Sequence, residues 1–246
     1  MIKELKDRTA LLTGAAGGIG SAVCRRLMEY GMRIVLVGRQ KAPLEALADE
    51  ARQKGCMACV CSGDITDSSF RDSLFRIFEG SPEWPAGLDI LINNAGMAQH
   101  CSVEEMTEEE FDRIMALNVK APYFLCQKAL PLLRKSPGAT VISIASVVAH
   151  KGYPQQSAYA ASKHALLGFS KSFANETYKE GIRVHVISPG GVYTPMAALA
   201  RPDLKPEMLT LPEDIADIVG FFLEHRGANA VIDEVQVHRS GKEPFA

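Results

Sequence analysis

Tyr159 and Lys163 stand four residues apart in the segment YAASK, and on a helix that spacing puts a phenol and an ammonium on one face. A free phenol titrates near pH 10, so bringing it to about 7 takes about 4 kcal/mol, which a neighbouring cation can supply. A phenol tuned in this way exchanges a proton with an alcohol or carbonyl oxygen. Ser146 lies upstream and could hold that oxygen through its hydroxyl. Taken alone, Tyr-x-x-x-Lys is also ordinary helix decoration.

A second set of residues suits a nucleotide. TGAAGGIG at 13–20 can form a tight turn whose backbone N–H groups meet a pyrophosphate at a helix N-terminus. Its glycines fit two spacings, Gly14-Gly18-Gly20 and Gly14-Gly17-Gly20, and an unliganded glycine turn fits as well. The apolar run RIVLV ends in Gly38-Arg39-Gln40-Lys41, where an acid would be expected to bind the ribose 2′-hydroxyl of NAD. Arg39 instead offers a fixed cationic fork suited to a 2′-phosphate, with Lys41 close behind; the plain alternative is two solvated charges. Asp64 could accept from an adenine amino group, and Asn94-Ala95-Gly96 would let backbone approach a ribose, although NNAG also reads as a simple turn.

These residues need a scaffold. Short apolar runs at 9–12, 34–37, 56–61, 89–92, 140–144, 184–187 and 231–237 predict seven strands. Amphipathic stretches at 22–30, 44–54, 111–134, 158–179 and 214–225 predict the helices between them. Alternation of this kind implies a Rossmann-type, doubly wound α/β fold, with a mostly parallel seven-stranded sheet covered by helices on both faces. Ligands in such sheets bind beyond the carboxyl ends of the strands, which is where the motifs fall. No repeat or linker divides the chain, so residues 1–246 are expected to form one domain.

With 27 basic and 29 acidic residues, giving a formal net charge of −2, the chain carries no general field for nucleic acid or an anionic membrane. No apolar run reaches bilayer length and the start resembles neither a secretory nor a transit signal, so a cytoplasmic location is expected. The six cysteines read as free thiols. Cys56, Cys59 and Cys61 could be three soft metal ligands, but no fourth lies nearby, and the same segment reads as a buried strand.

TGAAGGIG, NNAG, Asn118 in ALNVKAP, Ser146, YAASK and PGGVYT occur in an order and spacing that resembles the short-chain dehydrogenase/reductase family across almost the whole chain, in particular an NADP-preferring, 3-oxoacyl-reductase-like member. The resemblance favours the Gly14, Gly18, Gly20 spacing. It implies an NADP(H)-dependent oxidoreductase acting on a small carbonyl or alcohol, with Asn118, Ser146, Tyr159 and Lys163 as a catalytic tetrad. Lys163 would lower the Tyr159 pKa and hold the nicotinamide ribose, and Asn118 would fix a relay water. Cofactor contacts would come from Gly14, Gly18, Ile19, Gly20, Arg39, Asp64, Ile65, Asn94, Ala95 and Gly96, from Tyr159 and Lys163, and from Pro189, Gly190, Val192 and Thr194.

Candidate substrate-pocket segments are 97–103, 147–156 and 196–208, in a site expected to be open. A homodimer or homotetramer is expected, partly because Phe124, Leu125, Leu166, Leu167 and Phe169 exceed what one sheet face needs. Two departures stand out: His185 within the sixth strand, and a tail, VHRSGKEPFA, without the family's usual glycine pair. The competing function is a catalytically idle NADP-binding regulator on the same fold.

Overall fold

In β1 (Thr9–Thr13) successive apolar side chains point to opposite faces of the sheet, and each face meets its own helical layer. Leu12 joins Ile34, Ile92 and Ile142 in a layer closed by Val23, Leu27, Val219 and Phe222. Leu11 joins Val35, Leu91 and Val141 in a second layer closed by Leu125, Ala129 and Phe173. Burial on both faces explains why the runs are continuously apolar. This computed structural model describes residues 4–81, 84–200, 205, 207 and 209–242.

The other strands are β2 (Arg33–Gly38), β3 (Ala58–Ser62), β4 (Ile90–Asn93), β5 (Thr140–Ile144), β6 (Arg183–Pro189) and β7 (Glu234–Val237). All seven form one sheet in the order β3-β2-β1-β4-β5-β6-β7. Every neighbouring pair is parallel, as in Thr13 beside Val37 and Leu12 beside Ile92. The order reverses between β1 and β4, and a crevice opens there at the carboxyl ends. The helices are α1 (Gly18–Glu29), α2 (Lys41–Gln53), α3 (Ser68–Phe75), α4 (Glu108–Met115), α5 (Ala121–Leu133), α6 (Ser157–Thr177), α7 (Pro195–Ala200) and α8 (Pro212–Glu224). Among the described residues, no helix is long and apolar enough to cross a membrane.

Three local differences from the sequence expectations have physical causes. The single helix expected at 111–134 is α4, a π-helical turn at Ala116–Lys120, and α5. Pro122 has no N–H for the Asn118 carbonyl four residues back, and its ring crowds that carbonyl, so the helix widens there. The unexpected α3 begins at Asp67, whose carboxylate accepts from the Ser69 N–H at 2.8 Å. Leu125, Leu166 and Leu167 are buried within this chain and therefore do not argue for subunit contacts.

His185, the departure in β6, is a packing residue. Its ring stacks on Phe222 with centroids 4.3 Å apart, and Nδ1 pairs with the Ile232 carbonyl at 2.7 Å. Burial lowers its pKa, so it sits in the sheet as neutral imidazole.

Candidate active site

The turn between β1 and α1 is built from glycines because nothing larger fits. Gly14 has φ of 63°, a left-handed conformation that disfavours a side chain. A Cβ on Gly20 would lie 2.1 Å from the Gly14 carbonyl oxygen, and one on Gly18 would lie 2.5 Å from Thr194 Cγ2. At Gly17 the closest contact would be 3.2 Å, so the tightest positions are those of the Gly14, Gly18, Gly20 spacing. Thr13 and Asn94 fasten this turn to the next strand. Thr13 Oγ1 accepts from the N–H groups of Asn94 and Ala95 at 3.0 and 3.1 Å. Asn94 Nδ2 donates to the Thr13 and Gly14 carbonyls, both at 3.0 Å. The Asn94 amide is thus committed to shaping the turn.

The turn forms one side of a cavity of about 390 Å³ at the carboxyl ends of the strands. Ser146, Tyr159, Lys163, Gly96, Val192 and Thr194 all line it, so residues far apart in sequence meet in one space. Tyr159 and Lys163 project from α6, and Lys163 Nζ lies 5.9 Å from the centre of the Tyr159 ring. Nζ donates to the Ile144 carbonyl at the end of β5, at 2.8 Å. Ser146 Oγ donates to the Pro189 carbonyl and accepts from the Val148 N–H, both at 3.3 Å.

The lowering of the Tyr159 pKa expected from Lys163 is absent in the free protein. Burial dominates and raises it, opposed by a hydrogen bond with Ser146. Burial also lowers the Lys163 pKa, from 10.5 to about 8.

Asn118 is buried beside this space, outside its wall. Its Oδ1 accepts from the Met97 N–H at 2.9 Å, and its Nδ2 donates to the Met97 carbonyl at 2.8 Å and to Ser162 Oγ at 2.9 Å. Ser162 in turn donates to the Tyr159 carbonyl at 2.7 Å. The side chain thus ties the segment after β4 to the α6 turn that carries Tyr159. A Cβ on Gly96 would lie 3.2 Å from Asn118 Oδ1 and 3.5 Å from Lys163 Nζ, which places both beside that backbone. Ser162 carries no motif of its own beyond its position one residue before Lys163.

Ile19, Ala95, Pro189 and Gly190 also line the cavity. Arg39, Asp64 and Ile65 do not; they follow β2 and β3, on the flank of the sheet beyond β1. Arg39 is exposed and makes no hydrogen bond or ion pair among the described residues. Asp64 Oδ1 accepts from the Thr66 N–H and hydroxyl, each at 2.8 Å. Ile65 is buried, and its carbonyl accepts from Arg71 at 2.6 Å.

Of the expected pocket segments, Ala98 in the first, Val147, Val148, Tyr153 and Gln156 in the second, and Met196 and Ala197 in the third reach the cavity wall. Gln99 is buried and accepts from the Tyr159 N–H at 3.3 Å, whereas His100 is exposed. Residues 201–204, 206 and 208 of the third segment lie outside the described residues. Cys59 lies within β3, and Cys56 donates to the Met28 carbonyl at 3.3 Å; no group of three candidate metal ligands occurs among the described residues.

A family model described as short chain dehydrogenase matches residues 8–205. The chain is 32% identical over 227 residues to a 3-oxoacyl-(acyl-carrier-protein) reductase of Rickettsia bellii, covering 89% of this chain and 90% of that one. It is 33% identical over 207 residues to a 3beta-hydroxysteroid dehydrogenase of Mediterraneibacter gnavus, covering 82% and 72%. Among solved structures, L-sorbose reductase from Gluconobacter frateurii, complexed with NADPH and L-sorbose, superposes with a TM-score of 0.87 at 26% identity, covering 97% of this chain and 98% of that one.

Proposed function

The chain belongs to the short-chain dehydrogenase family, and on that premise we propose that it transfers a hydride between NADP(H) and a carbonyl or secondary alcohol, with Tyr159 as the acid/base. The observation that carries this reading is the convergence of Ser146, Tyr159 and Lys163 on the cavity bounded by the glycine turn. The cradle fits a dinucleotide: the tight glycine positions leave room for backbone to approach a pyrophosphate, and α1 points its N-terminus there. When bound, the nicotinamide supplies or accepts the hydride.

The residues do the rest. Because burial raises its pKa, Tyr159 is protonated in the free protein at neutral pH and is ready to donate to the oxygen of a carbonyl being reduced. Ser146 holds that oxygen and steadies the charge that develops on it. Lys163, with a pKa of about 8, is largely an ammonium at pH 7; its charge favours the tyrosinate left after transfer and its donors suit a ribose hydroxyl. The Asn118 carbonyl, without an N–H partner at Pro122, is available to hold a water for proton relay, while its side chain holds α6 in register. Arg39 meets the 2′-phosphate and Asp64 the adenine side.

The substrate is a small molecule, and residues 1–246 act as a single cytoplasmic domain. Purified protein given NADPH and a panel of ketones, keto acids and β-ketoesters is expected to oxidise the cofactor with at least one of them. Tight NADPH binding with no turnover on any of them would favour the idle regulator instead.

Phe111 on α4 and Tyr123 on α5 are exposed at 40% and 47%, an apolar surface suited to a homodimer or homotetramer. Light scattering at micromolar concentration is expected to give two or four subunits, and a monomer would remove this part of the reading.

A further inference from the structure

The residues after β7 return to the cavity. The Gly190 N–H donates to the Val237 carbonyl at 2.7 Å, and a Cβ on Gly190 would lie 3.8 Å from His238 Cα and 4.0 Å from the Arg239 nitrogen. The tail backbone therefore rests on the Pro189–Gly190 segment. The Lys242 N–H closes a turn onto the Arg239 carbonyl at 2.9 Å. His238, Arg239 and Lys242 all line the same cavity as Tyr159.

Arg239 is the unusual member. Its guanidinium makes no hydrogen bond or ion pair among the described residues, and Nη1 is buried with no partner. A guanidinium keeps its charge at any ordinary pH, and burying part of it unpaired is unfavourable. Among the described residues that line the cavity there is no aspartate or glutamate, so none of them offers the Arg239 guanidinium a carboxylate. Arg39, on the far side of β1, is placed for a different phosphate.

We infer that Arg239, with Lys242 beside it, forms an anion subsite within the catalytic cavity, taking a phosphate or carboxylate oxygen through the guanidinium fork. This rests on the reductase reading for its biological occupant, which has two sources: the cofactor's pyrophosphate, or an acidic group carried by the carbonyl substrate. Both offer oxygen acceptors that match the fork.

Two measurements on Arg239→Gln and the charge-preserving Arg239→Lys separate them. The first is NADPH affinity of the cofactor-free protein by fluorescence titration. The second is binding of 4-oxopentanoate against neutral 2-pentanone by ligand-observed NMR, with and without NADPH. Arg239→Gln is expected to weaken NADPH, or to erase the preference for the keto acid, by about tenfold. Arg239→Lys should lose less, and it serves the same comparison if the glutamine variant melts early.

Loss in the first measurement alone assigns the subsite to the pyrophosphate, and loss in the second alone assigns it to an acidic substrate. Unchanged values in both, with the fold intact by circular dichroism, overturn the inference. Wild-type protein that prefers the keto acid yet fails to bind NADPH would keep the subsite and remove the NADPH reading, so the two fail separately.

Discussion

Tyr159→Phe is expected to lower kcat for carbonyl reduction by about a thousandfold, within the range that general acid catalysis contributes, while NADPH affinity changes less than about threefold. The substitution deletes one oxygen and leaves the ring packed in α6, so the transferable proton goes and the cavity stays. The two readouts must be taken together, since loss of both would report a damaged fold rather than a missing acid. Activity within tenfold of wild type would sink the mechanism.

The same chemistry fixes the pH dependence of the wild type. Tyr159 has its pKa raised by burial, and Lys163 has its own lowered to about 8, so the cation is present below that pH and lost as the pH rises through it. The rate of reduction should therefore be level through neutrality and fall above about pH 8.

The cofactor preference is expected to rest on Arg39. A 2′-phosphate brings about −1.5 to −2 charges, and charge-assisted hydrogen bonds contribute about 1.5–3 kcal/mol, equivalent to roughly a tenfold to hundredfold preference for NADPH over NADH. Arg39 is exposed and uncommitted, which leaves its fork open to the ligand. Arg39→Ala should remove most of the preference. Gly38→Asp with Arg39→Ala should go further and favour NADH, because the new carboxylate repels the phosphate and can accept from a ribose hydroxyl. The backbone allows this change: Gly38 has no positive φ, and a Cβ there would meet Leu44 at an ordinary 3.5 Å. The kcat/KM for both cofactors on wild type and both variants checks the series; a wild type preferring NADH would show Arg39 to be only a surface charge.

The strands were readable because burial on both faces leaves continuous apolar runs, and the run at 140–144 coincides with β5. The short α3 was not, since eight residues give little periodicity and its main local signal was the Asp67 cap. Pro122 was visible, yet apolar spacing continues through it, so the break into α4 and α5 was hidden. In the site, the positions of Ser146, Tyr159 and Lys163 followed from strand ends and helix spacing. The Tyr159 pKa did not, because charge spacing can be counted in sequence whereas desolvation depends on what the fold stacks around the group. Arg239 escaped notice for a related reason: its surroundings are set by where the tail turns after β7, a long-range contact with no local pattern.

The placement of β1 in the middle of the sheet also bears on how the chain is made. A ribosome that has released residues up to Ser62 has provided only the flank β3-β2-β1, and one edge of β1 waits for Ile90–Asn93. At roughly 5–20 residues per second, the intervening stretch takes a few seconds to synthesise. During that time a strand whose five residues are all buried in the finished protein presents an unpaired edge, the kind of surface that invites misassembly. The central position of β1, which brings the glycine turn to the crevice in the finished protein, thus leaves it with an open edge to shelter while the protein is half made.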